Sequence, residues 1–409
     1  MSPVSPSPVA DVDADAGPPR PAARPVGVGQ SITLHAPGRL HLGFLDPAGT
    51  LGRRFGSLGL VIDGFETEIE LAAAASDQIT AGPDAQASDI DRIAGHLQRL
   101  RQHSGCHQPL ALHLHRSLPP HSGLGSGTQL ALAVGRAFAH WHGLALGTAT
   151  LAGWLGRGQR SGIGIAGFDQ GGLLLDGGPG TDGSPPPLLA RLRLPPAWLT
   201  VVVQDPLHRG LSGAHEKRAI AALPPLPQAS AAEICHQVLM QVLPGAATAD
   251  FAAFANGLNR VQQIVGAHFA PAQGGSAFTS PAVGRLLHWI NQQGAAAAPL
   301  AATGQSSWGP TAFAIVPSRE AAAALLAGAA AAGVIAPPLQ LRTVASRNQG
   351  AVLVDRRGDG LPTDHPTDHP TDHPSEHPPE HPPEHPPDRP PEHPPEHPPE
   401  HRPEHRPGR

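Results

Sequence analysis

The sequence predicts an α+β fold in two lobes, and three patterns carry that prediction. Some segments alternate apolar and polar residues with the period of two that is typical of half-buried antiparallel strands. Others repeat apolar residues at the spacing of an amphipathic helix. The two kinds of segment are mixed without a strict strand–helix alternation, which favours α+β over a parallel sheet. We place the N-terminal lobe at residues 30–200 and the C-terminal lobe at residues 201–355.

The N-terminal lobe is predicted to begin with strands because its apolar residues alternate. Leu40, Leu42 and Phe44 alternate with polar or small residues in the segment PGRLHLGFLD. The period then changes, and Ile93 and Leu97 lie at the spacing of one helix face. A break at PPHSGLGSGTQ separates the next strand from an apolar helix. In chain order we predict strands at Ser31–Ala36, 40–44 and Glu66–Leu71, a helix at Asp89–Arg101, a strand at Pro109–Leu118, helices at Gly127–His142 and Thr148–Arg157, and short buried strands at Leu173–Leu175 and Leu199–Val203.

The C-terminal lobe is predicted to be mainly helical, with two strands near its end. Proline clusters at 185–187 and 224–227 mark loops around its start. An alanine-rich helix separates the two strands. The predicted helices are Ala231–Val242, Ala249–His268, Pro281–Gln293 and Arg319–Ala332, and the predicted strands are Ala312–Val316 and Leu339–Val344.

A four-residue repeat, (T/S/P)(D/E)HP, distorts the composition of this 409-residue chain. Residues Thr363–Arg409 hold 11 of the 33 acidic residues, 4 of the 28 basic residues and 10 of the 25 histidines. Without them the formal charge changes from −5 to about +2. Proline in every repeat blocks helices and sheets, so we predict disorder at 356–409 and in the proline-rich extension 1–29. The repeated histidines are suited to weak Ni²⁺ or Zn²⁺ binding, or form a solvated tail without a dedicated role.

The sequence outside the histidine-rich repeat excludes several classes of protein. The nearly neutral body has no basic stripe, which argues against a nucleic-acid partner. Two distant cysteines, Cys106 and Cys235, do not form a disulfide scaffold or a cysteine-ligated zinc site. No signal peptide is visible, and no segment approaches the roughly 18 apolar residues of a membrane span. We therefore expect a cytoplasmic protein without a membrane partner.

The loop PPHSGLGSG at Pro119–Gly127 is the most informative segment. It joins a predicted strand to a predicted helix, and its glycines allow successive N–H groups to turn into one concavity. The helix N-terminus behind it adds about half a positive charge. The loop therefore predicts a phosphate or pyrophosphate site, with an ordinary glycine-rich connector as the alternative. The residues expected to form this site are Pro120, His121, Ser122, Gly123, Leu124, Gly125, Ser126, Gly127 and Thr128.

Two further glycine-rich segments supply candidate site residues. The segment GRGQRSGIGIAGFDQGG at Gly156–Gly172 is predicted to be a flexible loop that carries Arg157, Arg160 and Asp169, and Asp176 follows it. Arginine suits bidentate contact with phosphate or carboxylate, although a solvated loop charge is the alternative. The segment TGQSSWGPT supplies Gly304, Ser306, Ser307, Trp308 and Gly309.

Three ordered motifs resemble those of the GHMP kinase superfamily. They are APGRLHLGF, PPHSGLGSGTQLALAVGRA and GQSSWGPTAFAIV, and the resemblance covers most of Ser31–Val344. It implies a ribosomal protein S5 domain 2-like N-terminal lobe and a ferredoxin-like C-terminal lobe, with a polyphosphate enclosed between them. One departure matters: many superfamily kinases carry SGxD where this chain has RSGIG, so that Gly164 replaces the Asp. Without that carboxylate an acceptor hydroxyl is not activated, unless Asp169 or Asp176 substitutes for it.

One branch of the superfamily is more similar. RLHLGFLD, the Gly156–Gly172 segment with its following DGG, RGLSG at Arg209–Gly213 and GQSSWGP resemble β-ribofuranosylaminobenzene 5′-phosphate synthases. This resemblance implies condensation of phosphoribosyl pyrophosphate with 4-aminobenzoate (or 4-hydroxybenzoate), with loss of CO₂ and pyrophosphate, in tetrahydromethanopterin biosynthesis. It also implies Mg²⁺, no requirement for ATP, and a homodimer. An ATP-dependent small-molecule kinase and a metal-binding protein that acts through its histidine-rich tail are the alternatives.

The synthase interpretation assigns roles to the candidate residues. Loss of pyrophosphate leaves an oxocarbenium-like centre, so the leaving anion needs N–H donors, arginine and a cation. The 122–128 loop is expected to bind pyrophosphate, and Arg39, Arg157 and Arg160 to neutralise the phosphates or the carboxylate, in an order left open. Asp169 or Asp176 is expected to bind Mg²⁺, with a turn as the alternative role of Asp176. His41 is expected to act as a base, and the alternative is that it packs beside its strand. An aromatic slot is expected to be lined by Ser306, Ser307 and Trp308, with a place in the core as the alternative for Trp308.

Overall fold

A computed structural model describes residues 30–357, except 84, 212 and 295–298, and contains two β-sheets. The predictions for the N-terminal extension and for the histidine-rich repeat lie outside these residues. In chain order the strands are β1 Ser31–Asp46, β2 Phe55–Ala73, β3 Gln78–Ala81, β4 Leu110–Arg116, β5 Leu173–Asp176, β6 Leu188–Leu192, β7 Leu199–Gln204, β8 Ala302–Gln305, β9 Ala312–Val316, β10 Gln340–Ala345 and β11 Val352–Asp355.

The helices lie mainly between these strands and after β7. A π-helical turn at Val238–Val242 and a 3₁₀ turn at Ala270–Gln273 connect some of them. No helix among the described residues is long and apolar enough to cross a membrane. The helices are α1 Ala87–Ser104, α2 Ser126–Trp141, α3 Thr148–Trp154, α4 Ile163–Gln170, α5 Gly213–Ala222, α6 Gln228–Gln237, α7 Leu243–Thr248, α8 Phe251–Phe269, α9 Pro281–Gln293 and α10 Arg319–Ala331.

The larger sheet has seven strands and contains the hairpin that forms one wall of the site. Its order is β11–β1–β2–β4–β3, with β5 paired to β2 and β6 paired to β5. The antiparallel register of β1 and β2 shifts between Pro37 and Arg39 and again between His41 and Gly43. Such bulges change the direction in which neighbouring side chains point and are common beside functional sites. Both shifts flank residues that the sequence singled out, Arg39 and His41.

The smaller sheet is antiparallel, in the order β10–β7–β9–β8. Val201 and Val203 of β7 pack with Leu286 and Leu287 of α9 in one apolar cluster of the C-terminal half. The chain then returns to the larger sheet through β11, so that sheet contains strands from both ends of the described chain. The position of the boundary between the lobes, at residues 200 and 201, stays a prediction.

A shared apolar core joins the two halves. Leu40 and Leu60 of the larger sheet belong to the same buried cluster as Trp198, Phe254 and Phe313. These side chains are between 0 and 4% exposed. Because β1 packs on both halves, the residues that follow Arg39 are held where the two halves meet.

Most predicted elements are confirmed, and α8, α9 and α10 begin at recognisable caps. Ser280 and Ser318 accept hydrogen bonds from Val283 N (3.2 Å) and Ala321 N (3.1 Å) at the starts of α9 and α10. Side chains of this kind satisfy N–H groups that have no partner inside the helix. Asp250 caps α8 in the same way.

The flexible loop predicted over Gly156–Gly172 is wrong in its second half, which forms the helix α4. Ile163 and Phe168 of this helix are buried, and its glycines allow close packing. A Cβ atom on Gly167 would lie 2.9 Å from Val61, and one on Gly164 would lie 3.0 Å from Thr128. Glycines that indicated a loop therefore serve helix packing. The helices α5 and α7 and the strands β3, β6, β8 and β11 were not predicted at all.

Buried histidines should make the protein less stable in mild acid. Burial, reinforced by nearby arginines, lowers the pKa of His41 and His96 to about 3 and that of His142 to about 4. In the unfolded chain these rings take up protons near pH 6.5, whereas the folded protein does not until the pH is far lower. The free energy of unfolding should therefore fall as the pH drops from 7 to about 4.5.

Urea unfolding monitored by tryptophan fluorescence at several pH values measures this slope. His142→Gln should make the slope shallower by up to one proton. His107, an exposed residue, provides the matched control His107→Gln. A slope that His142→Gln leaves unchanged would contradict the burial of a neutral imidazole at this position.

Candidate active site

The three motifs that the sequence singled out meet at one junction. The backbone N–H of Arg39 donates to the carbonyl oxygen of Leu124, at 3.0 Å. The hydroxyl of Ser306 donates to the carbonyl oxygen of Gly123 (2.7 Å) and accepts from the backbone N–H of His41 (2.9 Å). A single buried hydroxyl therefore connects β1, the glycine loop and the segment after β8.

A fourth segment, RGLSG, joins the same junction. The N–H of Gly210 donates to the carbonyl oxygen of His121 at 3.1 Å, and a Cβ atom on Gly210 would lie 2.6 Å from the carbonyl oxygen of Trp308. Of four non-glycine residues with positive φ among the described residues, His121 (58°), Ser307 (56°) and Phe55 (67°) lie in or beside this region. Left-handed backbone at non-glycine residues costs free energy and is concentrated at functional sites.

The glycine loop shapes a concavity at the N-terminus of α2. Gly123 (φ = 90°) and Gly125 (φ = 86°) adopt left-handed conformations, and a Cβ atom on Gly123 would collide with the carbonyl oxygen of Ser306. A Cβ atom on Gly125 would lie 3.3 Å from Nε of Arg39. The first turn of α2 contains no acidic side chain, so its positive end is not neutralised from within the helix.

The other predicted members of the loop have mainly structural contacts. Ser122 donates to the carbonyl oxygen of Pro119 at 2.7 Å, and Leu124 lies in the shared core. Ser126 begins α2 and is buried, and Thr128 lies against Gly164. Pro120 is half-buried at the turn that precedes Ser122.

Arg39, His41 and Arg160 form what we call the inner cation cluster. Burial lowers the pKa of Arg39 to about 10, with Glu216 opposing the shift, and the Nη1 atom of Arg39 donates to the carbonyl oxygen of Gly123 at 2.8 Å. Burial and the charges of Arg39 and Arg160 lower the pKa of His41, so its ring is neutral at pH 7. Arg160 pairs with Glu216 at 2.9 Å.

Each member of the inner cation cluster has a buried nitrogen atom without a hydrogen-bond partner in the described part of the chain. These atoms are Nε of Arg39, Nε2 of His41 and one terminal nitrogen of Arg160. Buried polar atoms of native proteins are nearly always paired, since an unpaired one costs free energy. The arrangement is therefore suited to an anionic ligand that would accept hydrogen bonds from these groups.

Arg157 lies apart from this cluster. Its Nη1 atom lies 3.4 Å from the position of a Cβ atom on Gly127, and its charged neighbours are Arg92 and Arg99. The sequence placed Arg157 and Arg160 in one loop, but the fold gives them different neighbours: Arg157 lies beside Gly127, and Arg160 pairs with Glu216.

An aromatic pocket adjoins the inner cation cluster through His41. Its cavity volume is about 20 Å³, so a ligand larger than water enters only if side chains of its walls move. The rings of Phe269 and Trp308 meet at 4.7 Å between centroids, and those of His41 and Phe44 at 4.5 Å. Trp308 is 4% exposed, so it is a core residue and a wall of the pocket at once. The lining residues are His41, Gly43, Phe44, Gln262, Val265, Phe269, Gln305, Ser307 and Trp308.

Sequence reasoning found only part of this pocket. Ser307 and Trp308 line it, whereas Ser306 and Gly304 support it from behind: Gly304 packs so closely on Gln262 that a Cβ atom there would collide with this side chain. Gly309 closes the same turn, donating its N–H to the carbonyl oxygen of Ser306 at 3.0 Å. Phe44 stands in the first motif and could have been found there. Phe269, at the end of a long helix, gave no local signal.

Asp176 is buried with its carboxylate fully engaged. It accepts hydrogen bonds from the backbone N–H groups of Gly162 and Gly178, both at 2.8 Å, and from the hydroxyl of Ser161 at 3.2 Å. Burial raises the pKa of this carboxyl, against these hydrogen bonds. Asp176 thus fixes the backbone before α4 and with it the position of Arg160.

Asp169 does not reach the inner cation cluster. Its Oδ1 accepts a hydrogen bond from the hydroxyl of Thr148 at 2.5 Å, and burial raises the pKa of its carboxyl. The structure therefore gives Asp169 and Asp176 separate structural contacts instead of a common metal site.

The described residues contain one group of three side chains that could share a metal ion, and it lies elsewhere. His35, Glu66 and Glu68 come together on β1 and β2. Arg116 pairs with Glu66 at 2.8 Å and with Glu68 at 3.1 Å. The acidic charges of this group are thus balanced by arginine.

The profile of the GHMP kinases N terminal domain matches residues 91–174, and that of the GHMP kinases C terminal region matches residues 242–335. A β-ribofuranosylphenol 5′-phosphate synthase from Archaeoglobus fulgidus is 35% identical over 245 residues, which cover 57% of this chain and 76% of that protein. The chain belongs to this synthase family, within the GHMP kinase superfamily.

A second member of the synthase family matches over a longer region. The β-ribofuranosylphenol 5′-phosphate synthase from Methanothermobacter thermautotrophicus is 29% identical over 341 residues, which cover 79% of this chain and 98% of that protein. The match therefore spans nearly the full length of that synthase.

Solved structures confirm the two-lobed α+β fold of the superfamily. The mevalonate diphosphate decarboxylase from Enterococcus faecalis superposes with a TM-score of 0.56 at 18% identity and covers 80% of this chain and 99% of its own. The homoserine kinase from Cytophaga hutchinsonii gives 0.55 at 16% identity, covering 81% and 100%. At these identities the likeness concerns the fold alone.

Removing the hydroxyl at the junction should loosen the site. In Ser306→Ala the buried N–H of His41 loses its acceptor, which should lower the free energy of unfolding by about 1–3 kcal/mol. Urea unfolding measures this loss. The matched control is Ser88→Ala, at an exposed position in the first turn of α1. Equal stability of Ser306→Ala and the unmodified protein would show that the hydroxyl does not hold the three segments together.

Proposed function

We propose that this chain catalyses the β-ribofuranosylphenol 5′-phosphate synthase reaction. It condenses phosphoribosyl pyrophosphate with 4-hydroxybenzoate and releases CO₂ and pyrophosphate, in methanopterin biosynthesis. The observation that carries the proposal is the contact, through His41, between an aromatic pocket and a buried cation cluster with unpartnered N–H groups. Such a pair of sites suits a reaction that joins an aromatic ring to a sugar carbon bearing pyrophosphate.

The acceptor proposed here is the hydroxybenzoate. The relatives from Archaeoglobus fulgidus and Methanothermobacter thermautotrophicus are both named for a ribofuranosylphenol product, not for the aminobenzene. 4-Hydroxybenzoate and 4-aminobenzoate share the ring and the carboxylate, so the pocket is expected to admit both, with the hydroxyl compound as the substrate.

The inner cation cluster and the glycine loop stabilise the leaving group. As the bond from the ribose C1′ to the diphosphate oxygen breaks, its electron pair passes to pyrophosphate. Arg39, Arg160 and the N–H groups at the start of α2 are fixed before the reaction, so they stabilise the developing charge without reorganising. The ring carbon that bears the carboxylate bonds to C1′, and the electrons of the bond to CO₂ then restore the aromatic ring.

His41 is proposed to hydrogen-bond the substrates as a neutral imidazole. Its Nε2 atom is buried without a partner in the described structure, and its ring forms part of the pocket wall. With the site empty, burial and two arginines hold its pKa near 3, which makes it a weak base. A bound diphosphate opposes the arginine charges and raises this pKa, so proton acceptance by His41 depends on the anion being bound first.

Magnesium is proposed to arrive with the substrate. Asp169 and Asp176 do not fit a direct metal site, because their oxygens accept hydrogen bonds from separate protein groups. Diphosphate oxygens are ordinary ligands of Mg²⁺, which often keeps several waters and few protein ligands.

The homodimer and the cytoplasmic location inferred from the sequence stay predictions.

The kinase alternative is disfavoured by Gly164. The carbonyl oxygen of Gly164 accepts from Nε2 of Gln129 at 3.0 Å, and a Cβ atom there would already lie 3.0 Å from Thr128. A carboxylate at this position would not fit without displacing Thr128. The reaction proposed here requires no ATP.

The proposed reaction is tested by incubating the purified protein with phosphoribosyl pyrophosphate, Mg²⁺ and 4-hydroxybenzoate labelled in its carboxylate. Labelled CO₂ should be released without ATP, and the aromatic product should carry ribose 5-phosphate. Labelled 4-aminobenzoate, assayed in parallel, identifies the preferred acceptor. Absence of CO₂ release together with ATP turnover in the presence of a small alcohol would favour the kinase instead.

A branched side chain in the glycine loop should weaken pyrophosphate binding. In Gly125→Val the new side chain would meet Arg39 in a left-handed conformation that valine rarely adopts, so the loop must open. Titration calorimetry with pyrophosphate should show a loss of about tenfold or more in affinity. Gly143→Val is the matched control: its φ is 65°, but a Cβ atom there would meet nothing within 4 Å. Equal affinities of the two variants would contradict the phosphate-loop assignment.

A further inference from the structure

A second group of cations lies beside the first turn of α2. Arg92 and Arg99 come from α1, and Arg157 follows α3; we call these three residues the outer arginine cluster. Arg99 donates to the carbonyl oxygen of Leu155 at 3.4 Å, which holds α1 against the segment that carries Arg157. Sequence reasoning gave no role to Arg92 or Arg99.

The outer arginine cluster carries more positive than negative charge. Arg92 pairs with Asp89, which is buried. Within the described chain no carboxylate forms an ion pair with Arg99 or Arg157. The Nη1 atom of Arg157 lies 3.4 Å from the Cβ position of Gly127, inside the first turn of α2, so the cluster and the positive end of that helix reinforce each other.

A buried histidine without hydrogen bonds belongs to this cluster. His96 is 5% exposed, and neither of its ring nitrogens has a partner in the described structure. The Nε atoms of Arg92 and Arg157 are likewise buried and unpaired. Burial, followed by the charges of Arg157, Arg99 and Arg92, lowers the pKa of His96 to about 3, which places its ring among these arginines as a neutral group. The two arginine Nε–H groups and the one N–H of the neutral imidazole are therefore three buried donors without a partner, which indicates a site for a ligand that accepts hydrogen bonds.

We propose that the outer arginine cluster and His96 bind the 5′-phosphate of phosphoribosyl pyrophosphate, and that the inner cation cluster and the glycine loop bind its diphosphate. This inference rests on the proposed function. The substrate carries two anionic groups at opposite ends of one ribose. The chain offers two cation clusters beside one loop, with Arg39 next to Gly125 and Arg157 next to Gly127.

The aromatic pocket decides which cluster receives which group. The diphosphate leaves from the carbon that the ring attacks, so it must lie next to the ring. The inner cation cluster shares His41 with the aromatic pocket, whereas no member of the outer arginine cluster lines it. The 5′-phosphate, at the far end of the ribose, therefore belongs to the outer arginine cluster. Exposed Arg99 leaves that cluster open to solvent, as entry of a phosphate requires.

The binding of two fragments of the substrate distinguishes the roles of the two clusters. Titration calorimetry of the full chain with ribose 5-phosphate and with pyrophosphate should give opposite patterns in two variants. Arg157→Gln should weaken ribose 5-phosphate by about tenfold or more, as expected for a lost charge-assisted contact, and pyrophosphate by less than about twofold. Arg160→Gln should weaken pyrophosphate by about tenfold and ribose 5-phosphate little.

Two further variants test whether misfolding or the general loss of one positive charge explains the change in affinity. Arg99→Gln removes an exposed side chain, so it should fold normally and still weaken ribose 5-phosphate selectively. Arg285→Gln, at an exposed position on α9, controls for the loss of one positive charge and should change neither affinity. The inference is overturned if Arg157→Gln and Arg99→Gln weaken both fragments equally, or if both variants bind ribose 5-phosphate like the unmodified protein.

Failure of the inference differs from failure of the proposed function. If the unmodified chain releases labelled CO₂ but the variants show no selectivity, the synthase activity stands and the division between clusters falls. If ribose 5-phosphate binds with the expected selectivity but no CO₂ is released under any condition, the phosphate site stands and the synthase assignment falls.

Discussion

The site depends on buried positive charge that is largely shielded from water. Arg39 is held at the junction of β1 and the glycine loop, and its Nε atom is enclosed without a partner in the described structure. Glu216 compensates the inner cation cluster in part, through its ion pair with Arg160. The rest of the charge remains for a ligand to neutralise. These unpaired groups lower the stability of the folded protein, but they form an anion site that exists before the substrate binds.

The surrounding backbone is arranged to hold that charge in place. Bulges on β1 flank Arg39 and His41, and the hydroxyl of Ser306 connects His41 to the glycine loop. Left-handed conformations at His121 and Ser307 complete the turn around the aromatic pocket. Because the shared core runs beneath both sheets, these loops rest on rigid supports, and the pocket and the cations keep a fixed spacing.

Periodicity, a local signal, allowed the fold class to be predicted, and the resemblance to the GHMP kinase motifs implied that these motifs meet at one site. Arg39, Arg160 and the loop around Gly125 were singled out from the motifs and the glycine-rich segments. The segment of α4 was misjudged, since glycines that pack a helix against Thr128 and Val61 look the same as glycines of a loop. The outer arginine cluster was missed for a different reason. Its members lie far apart in sequence, and only the packing of α1 brings Arg99 to Arg157.

A crystal structure of the full chain with pyrophosphate and 4-hydroxybenzoate tests the central claim most directly. We expect pyrophosphate to accept hydrogen bonds from Arg39, Arg160 and the N–H groups at the start of α2. The benzoate ring should lie in the pocket formed by Phe44, Phe269 and Trp308, beside His41. Pyrophosphate bound away from both arginines, or a ring bound outside this pocket, would contradict the account.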